Sequence, residues 1–142
     1  MKTLAILFVF LFTSVSFANL KCLEWSGSHD ADGCSKWSNG IKCLEWPGGS
    51  YYCGEFNNGL KCVQWSGNEK HDDCSEWSNG LRCTDWAGNA CAAVSTGEKC
   101  LRFSGSADDD ECAEWSNGAK CLNYGGARCG EWTKTPPGPL SH

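Results

Sequence analysis

Apolar residues recur in this chain as single positions at fixed distances from cysteines. After the first eighteen residues, an aromatic residue stands three positions after every cysteine except Cys91, where Val94 takes its place. The segments between cysteines are short, and none shows the 3.6-residue period of a helix. Short segments of alternating character bounded by turn residues are typical of β-strands. The pattern therefore predicts an all-β fold of twelve short strands in six hairpins.

The cysteines divide the chain into repeats. Their spacings alternate between a constant 9 residues and a variable 8, 10 or 12, which defines six units of about twenty residues. These units pair into three longer units of about forty residues that begin at Cys22, Cys62 and Cys100. Two architectures fit this repeat: a linear, twisted ribbon of hairpins, and a closed, trefoil-like arrangement.

The constant block carries the clearest turn signal. It recurs as CSKWSNGIKC, CGEFNNGLKC, CSEWSNGLRC and CAEWSNGAKC, with CAAVSTGEKC as a divergent copy. Asn-Gly favours a two-residue type I′ turn because both residues tolerate a positive φ. A turn at Asn39-Gly40 would place Trp37 opposite Lys42. The predicted sheet face thus carries these aromatic–cation pairs: Trp37 with Lys42, Phe56 with Lys61, Trp77 with Arg82, and Trp115 with Lys120.

Residues 1–18 predict a cleaved secretory signal. Lys2 precedes the apolar run LAILFVFLF, and Ser16 and Ala18 provide the small residues of a cleavage site. The run is too short to span a bilayer. We expect residues 19–132 to form the hairpin-repeat domain and residues 133–142 a flexible Pro-rich tail. The expected location is secreted, either extracellular or periplasmic.

The twelve cysteines predict six disulfides, because an even number in an exported chain usually forms a disulfide framework. The variable spacings are all even, so the cysteines that flank them can lie opposite each other at the neck of a loop. This favours the pairs Cys22–Cys34, Cys43–Cys53, Cys62–Cys74, Cys83–Cys91, Cys100–Cys112 and Cys121–Cys129. A zinc site is less favoured, since the chain has no C-x-x-C motif and only 3 histidines.

Charge and motif content narrow the function classes. A formal net charge of −5 argues against nucleic acid and anionic membranes as partners. No Ser/His/Asp or Cys/His constellation stands out, and regular repetition argues against a single active site, so we expect no enzymatic activity.

The predicted aromatic–cation face suggests multivalent binding, with carbohydrate as the favoured ligand because sugars stack on indole rings. The predicted ligand-binding residues are those of the four pairs: Trp37, Lys42, Phe56, Lys61, Trp77, Arg82, Trp115 and Lys120. The alternative interpretation places the aromatic residues in the core. A second functional hypothesis is a structural or self-assembling protein of a coat, matrix or filament, because exposed strand edges favour lateral association.

The acidic loops suggest one candidate cofactor, Ca²⁺, although no cofactor is firmly implied. LEWSGSHDADG and LRFSGSADDDE contain the carboxylate pairs Asp30 with Asp32 and Asp108 with Asp110, and carboxylates are the usual ligands of calcium. The equivalent loop VQWSGNEKHDD has Lys70 in place of the first carboxylate. The alternative is that these loops are solvated tips that keep the chain soluble.

Overall fold

The computed structural model describes residues 19–27, 33–47, 52–67, 73–88, 90–105, 111–125 and 128–138. Its regular elements in these ranges are strands, which confirms the all-β prediction. The twelve strands are β1 (Leu20–Trp25), β2 (Cys34–Trp37), β3 (Cys43–Glu45), β4 (Glu55–Phe56), β5 (Cys62–Trp65), β6 (Cys74–Trp77), β7 (Cys83–Ala87), β8 (Ala90–Val94), β9 (Cys100–Phe103), β10 (Cys112–Trp115), β11 (Cys121–Gly125) and β12 (Arg128–Trp132).

Consecutive strands pair antiparallel across the variable loops, giving hairpin 1 (β1–β2) through hairpin 6 (β11–β12). Hairpin 1 pairs Cys22 with Trp37 and Trp25 with Cys34, and its register shifts between these pairs. Each hairpin contains one disulfide at the neck of its loop. All six predicted pairs are confirmed: Cys22–Cys34, Cys43–Cys53, Cys62–Cys74, Cys83–Cys91, Cys100–Cys112 and Cys121–Cys129.

The Asn-Gly turns differ from the predicted type. Gly40 has a φ of +90°, but no described residue other than glycine has a positive φ, so Asn39 does not adopt a type I′ conformation. The Gly40 N–H donates to the Trp37 carbonyl at 3.0 Å, and the Trp37 N–H donates to the Ile41 carbonyl at 2.8 Å. This is a three-residue loop, in which a turn is followed by a left-handed glycine. It contains one residue more than the predicted turn.

That extra residue shifts the register, so the predicted aromatic–cation pairs are wrong. Lys42 lies opposite Lys36 instead of Trp37. In the other three predicted pairs the base lies opposite the acidic residue that precedes the aromatic: Lys61 opposite Glu55, Arg82 opposite Glu76, and Lys120 opposite Glu114. Two of these pairs are salt bridges of 3.0 Å, Lys61 with Glu55 and Lys120 with Glu114.

The six hairpins form a closed circuit. The pairs across the turns join each hairpin to the next, and β1 pairs with β12 through Leu20 with Trp132 and Lys21 with Glu131. A linear ribbon would leave these terminal strands apart. The pairing therefore supports the closed arrangement, although the described strands form one four-stranded and four two-stranded sheets and no closed barrel.

Thr133 occupies the position after hairpin 6 that Ser38 occupies after hairpin 1, but no Asn-Gly turn follows it. In hairpin 1 the Lys21 N–H donates to Ser38 Oγ at 2.9 Å, and in hairpin 6 the Lys120 N–H donates to Thr133 Oγ1 at 3.0 Å. Beyond Thr133, Pro136 and Gly138 are buried. The flexible tail at residues 133–142 stays a prediction, since residues 139–142 lie outside the described residues.

The core lies between the second strands of the hairpins. Three positions after its second cysteine, each hairpin contributes one buried residue from these strands, and we call these six the inner residues: Trp37, Phe56, Trp77, Val94, Trp115 and Trp132. Between them lie the apolar residues that precede each base: Leu20, Ile41, Leu60, Leu81 and Ala119. The first strands have exposed central residues and face outward.

The fifth repeat has a polar residue at one of these core positions. Glu98 stands where the other repeats have Leu, Ile or Ala, is only partly buried, and accepts a hydrogen bond from Thr96 Oγ1. Glu98→Leu is expected to raise the free energy of unfolding by about 1–2 kcal/mol, because leucine adds buried apolar area. Denaturant unfolding without reductant measures this. Gln64→Leu, at an exposed position, serves as the control, and an equal gain there would contradict the assignment.

Candidate functional site

The positions three residues after each cysteine separate into two sets. The inner residues are only 2–8% exposed. The other set, which we call the outer aromatics, lies on the first strands, or directly after β3 in the case of Trp46, and is partly exposed: Trp25, Trp46, Trp65, Trp86, Phe103 and Tyr124. The predicted ligand-binding residues Trp37, Phe56, Trp77 and Trp115 all belong to the buried set. Their predicted partners Lys42, Lys61, Arg82 and Lys120 are exposed, so the structure does not bring the two groups together on one face.

A neighbouring hairpin fixes the first outer aromatic in place. The Trp25 ring lies against Gly125 and Gly130 of hairpin 6, so closely that a Cβ atom at Gly125 would stand 2.6 Å from Trp25 Cζ2. Trp46, Trp65 and Phe103 pack against the buried core. These rings therefore pack against neighbouring residues and expose only part of their surface to solvent.

An exposed pair of residues directly precedes each outer aromatic in the chain. The residue directly before it is polar and exposed: Glu24, Glu45, Gln64, Asp85, Arg102 or Asn123. The residue before that is an exposed aliphatic side chain in every hairpin except hairpin 4, which has Thr84: Leu23, Leu44, Val63, Leu101 and Leu122, at 52–63% exposure. We call this repeated aliphatic–polar–aromatic set the outer-strand surface.

Four titratable residues from different hairpins form a second candidate site, which we call the polar cluster. Tyr52, Asp73, Glu111 and Arg128 each stand directly before the second cysteine of a hairpin. The Arg128 Cζ atom lies 4.4 Å from the centroid of the Tyr52 ring. Asp73 and Glu111 interact electrostatically with the same guanidinium. The repeat thus brings residues from hairpins 2, 3, 5 and 6 to one place.

Backbone groups hold the two carboxylates of the polar cluster. The Cys74 N–H donates to Asp73 Oδ1 at 2.7 Å, and the Cys129 N–H donates to Glu111 Oε2 at 2.8 Å, which links hairpin 5 to hairpin 6. Burial raises the pKa of both carboxyl groups above their ordinary values, and the attraction of Arg128 offsets part of that rise. Burial also raises the pKa of Tyr52. When both acids are ionised, the cluster carries one negative charge more than its single cation balances.

The sequence contains a signal for this cluster that its repeat pattern hides. The position before the second cysteine is Gly33, Tyr52, Asp73, Ala90, Glu111 or Arg128, so no single residue type marks it from one hairpin to the next. When the repeats are aligned on their cysteines, these residues are simply the last residues of the variable loops, and nothing in the alignment relates them to one another. Their convergence follows only from the closed circuit.

The predicted calcium ligands Asp30, Asp32, Asp108 and Asp110 lie outside the described residues, as does the predicted signal at residues 1–18. Both remain predictions. Within the described parts of the chain, no group of three or more His, Cys, Asp or Glu side chains could hold a metal ion.

No protein-family model, no curated protein and no solved structure matches the chain. None of the described residues belongs to a helix long and apolar enough to cross a membrane. The six disulfides, which use all twelve cysteines, indicate an oxidising compartment.

Proposed function

We propose that the chain is a secreted, non-enzymatic protein that binds extracellular carbohydrate at several equivalent sites, one on the outer-strand surface of each hairpin. The observation that carries this proposal is the separation of the aromatic residues into two sets. The fold buries the inner residues, yet every hairpin keeps its outer aromatic in contact with solvent.

The residues beside each outer aromatic support a sugar as the ligand. Ligand sites combine aromatic surface with a few polar groups that fix orientation. The polar residue before each ring is a carboxylate, an amide or a guanidinium, and these groups hydrogen-bond to hydroxyls. Six similar sites on one chain would add their weak affinities through avidity when the ligand is a repeating glycan.

Binding is expected to fall about tenfold or more in the double variant Trp86→Ala/Tyr124→Ala, because loss of two of the six sites reduces avidity. Both residues are outer aromatics outside the buried core. A glycan array followed by calorimetry on the bound glycan measures the effect. The control is Lys99→Ala/Lys134→Ala, which removes two exposed side chains that lie outside the outer-strand surface. Undiminished binding by a folded Trp86→Ala/Tyr124→Ala variant would contradict the proposal.

A second candidate function is self-assembly into a coat, matrix or filament. The exposed aliphatic residues of five hairpins favour it, since repeated apolar groups on a surface mark protein contacts. In this case the wild type would bind no glycan and would elute as a polymer at high concentration. The variant Leu101→Ser/Leu122→Ser would then elute as a monomer.

A further inference from the structure

One of the six junctions in the circuit of hairpins has no covalent connection. Hairpins 1 to 6 are joined in order by five turns, at Gly40, Gly59, Gly80, Gly97 and Gly118. The sixth junction, between β12 and β1, joins the two ends of the domain. All twelve cysteines form disulfides inside single hairpins, so no disulfide crosses this junction.

The open junction uses the same interactions as the covalent ones. Lys21 lies opposite Glu131 just as Lys61 lies opposite Glu55, and both pairs are salt bridges, at 3.5 Å and 3.0 Å. Leu20 occupies the core position that Leu60 occupies in hairpin 3, and the two are 4% and 6% exposed.

The junction also has interactions of its own. Asn19 Nδ2 donates to Glu131 Oε1 at 2.9 Å. The Trp25 ring packs on Gly125 and Gly130, whose missing side chains leave room for it. The β1 edge of hairpin 1 is therefore complementary to the β12 edge of hairpin 6. The same complementarity holds when the two hairpins belong to different chains.

We propose that this junction also forms between copies of the chain. Hairpin 1 of one chain then pairs with hairpin 6 of a second, and the interactions that close the monomer build a strand-exchanged oligomer. Exchange of an identical element is a low-cost route to dimers, because the oligomer restores the pairing that each opened monomer gives up. The remaining cost is the entropy of association, so oligomers are favoured at high concentration. This proposal does not depend on carbohydrate binding.

A cysteine pair placed across the junction tests the proposal. Lys21 and Glu131 are Cα partners in an antiparallel pair, a separation that a disulfide can span. The variant Lys21→Cys/Glu131→Cys forms a bond within one chain in the closed monomer, and a bond between chains in the exchanged oligomer. Non-reducing denaturing electrophoresis separates the two products. We expect a ladder of linked chains whose share rises with the chain concentration during oxidation.

The matched control is Glu55→Cys/Lys61→Cys, which places the same pair at a junction that a turn already spans. It is expected to give monomers at every concentration. Monomers alone in both variants would overturn the proposal, and so would ladders in both, because these would show general disulfide rearrangement. Native mass spectrometry of the wild type gives an independent readout, in which a chain that remains monomeric at the same high concentrations also overturns the proposal.

Discussion

Replacing Trp77 with alanine is expected to lower the free energy of unfolding by about 3–5 kcal/mol, the usual cost of removing a buried tryptophan. Trp77 is 7% exposed, and its ring centroid lies 5.7 Å from that of Phe56, which belongs to the preceding hairpin. The substitution would leave a cavity between hairpins 2 and 3. Denaturant unfolding under non-reducing conditions, followed by tryptophan fluorescence, measures the loss.

Trp65 of the same hairpin provides the matched control for Trp77. It is an outer aromatic that is only partly buried, so Trp65→Ala is expected to cost about 1–2 kcal/mol. Both variants keep the Cys62–Cys74 disulfide. If Trp77→Ala abolished ligand binding with no loss of stability, the buried position of Trp77 would be contradicted, and the aromatic–cation face that the sequence suggests would be favoured again.

Much of the fold could be predicted from the sequence because its cues are local. The aromatic residues at fixed distances from cysteines predicted the strands, and the even spacing of the variable segments predicted all six disulfides. The turn type was harder, because Asn39-Gly40 is compatible both with a two-residue type I′ turn and with a three-residue loop that ends in a left-handed glycine. The difference of one residue moves Lys42 from Trp37 to Lys36. That shift removes the predicted binding face.

The closure of the circuit and the polar cluster depend on distant interactions that the repeat alone does not specify. Leu20 and Trp132 pair although almost the whole domain separates them. Once β1 and β12 meet, the ends of the variable loops approach each other, and Tyr52 comes within reach of Arg128. A ribbon with the same sequence pattern would keep these residues apart. Their interaction is therefore a consequence of closure.

The polar cluster should depend strongly on its single cation. Arg128→Met removes the charge and keeps much of the apolar stem, so Asp73 and Glu111 lose the cation they share. We expect the free energy of unfolding at neutral pH to fall by about 3 kcal/mol, the lower end of the range for breaking a buried ion pair, because Arg128 as a whole residue is only partly buried. The same non-reducing denaturant unfolding measures this. The control Arg82→Met removes an exposed cation and should change the free energy by less than about 0.5 kcal/mol.

The effect of Arg128→Met should also vary with pH in a definite direction. Burial raises the pKa of Asp73 and Glu111 in the folded chain, so protonation of these carboxyls favours folding. Their stabilising contribution is full below the unfolded pKa of about 4 and is lost as the pH rises through the folded pKa. Arg128 lowers both folded pKa values, and its removal therefore increases this dependence.

Thermal unfolding at about pH 4 and at neutral pH should accordingly show a smaller cost of Arg128→Met in acid, where both carboxyls are more fully protonated than at neutral pH. In the double variant Asp73→Asn/Glu111→Gln, this difference between the two pH values should disappear. An Arg128→Met cost that is equal at both pH values would show that the guanidinium stabilises the fold through the Tyr52 ring and not through the two carboxylates.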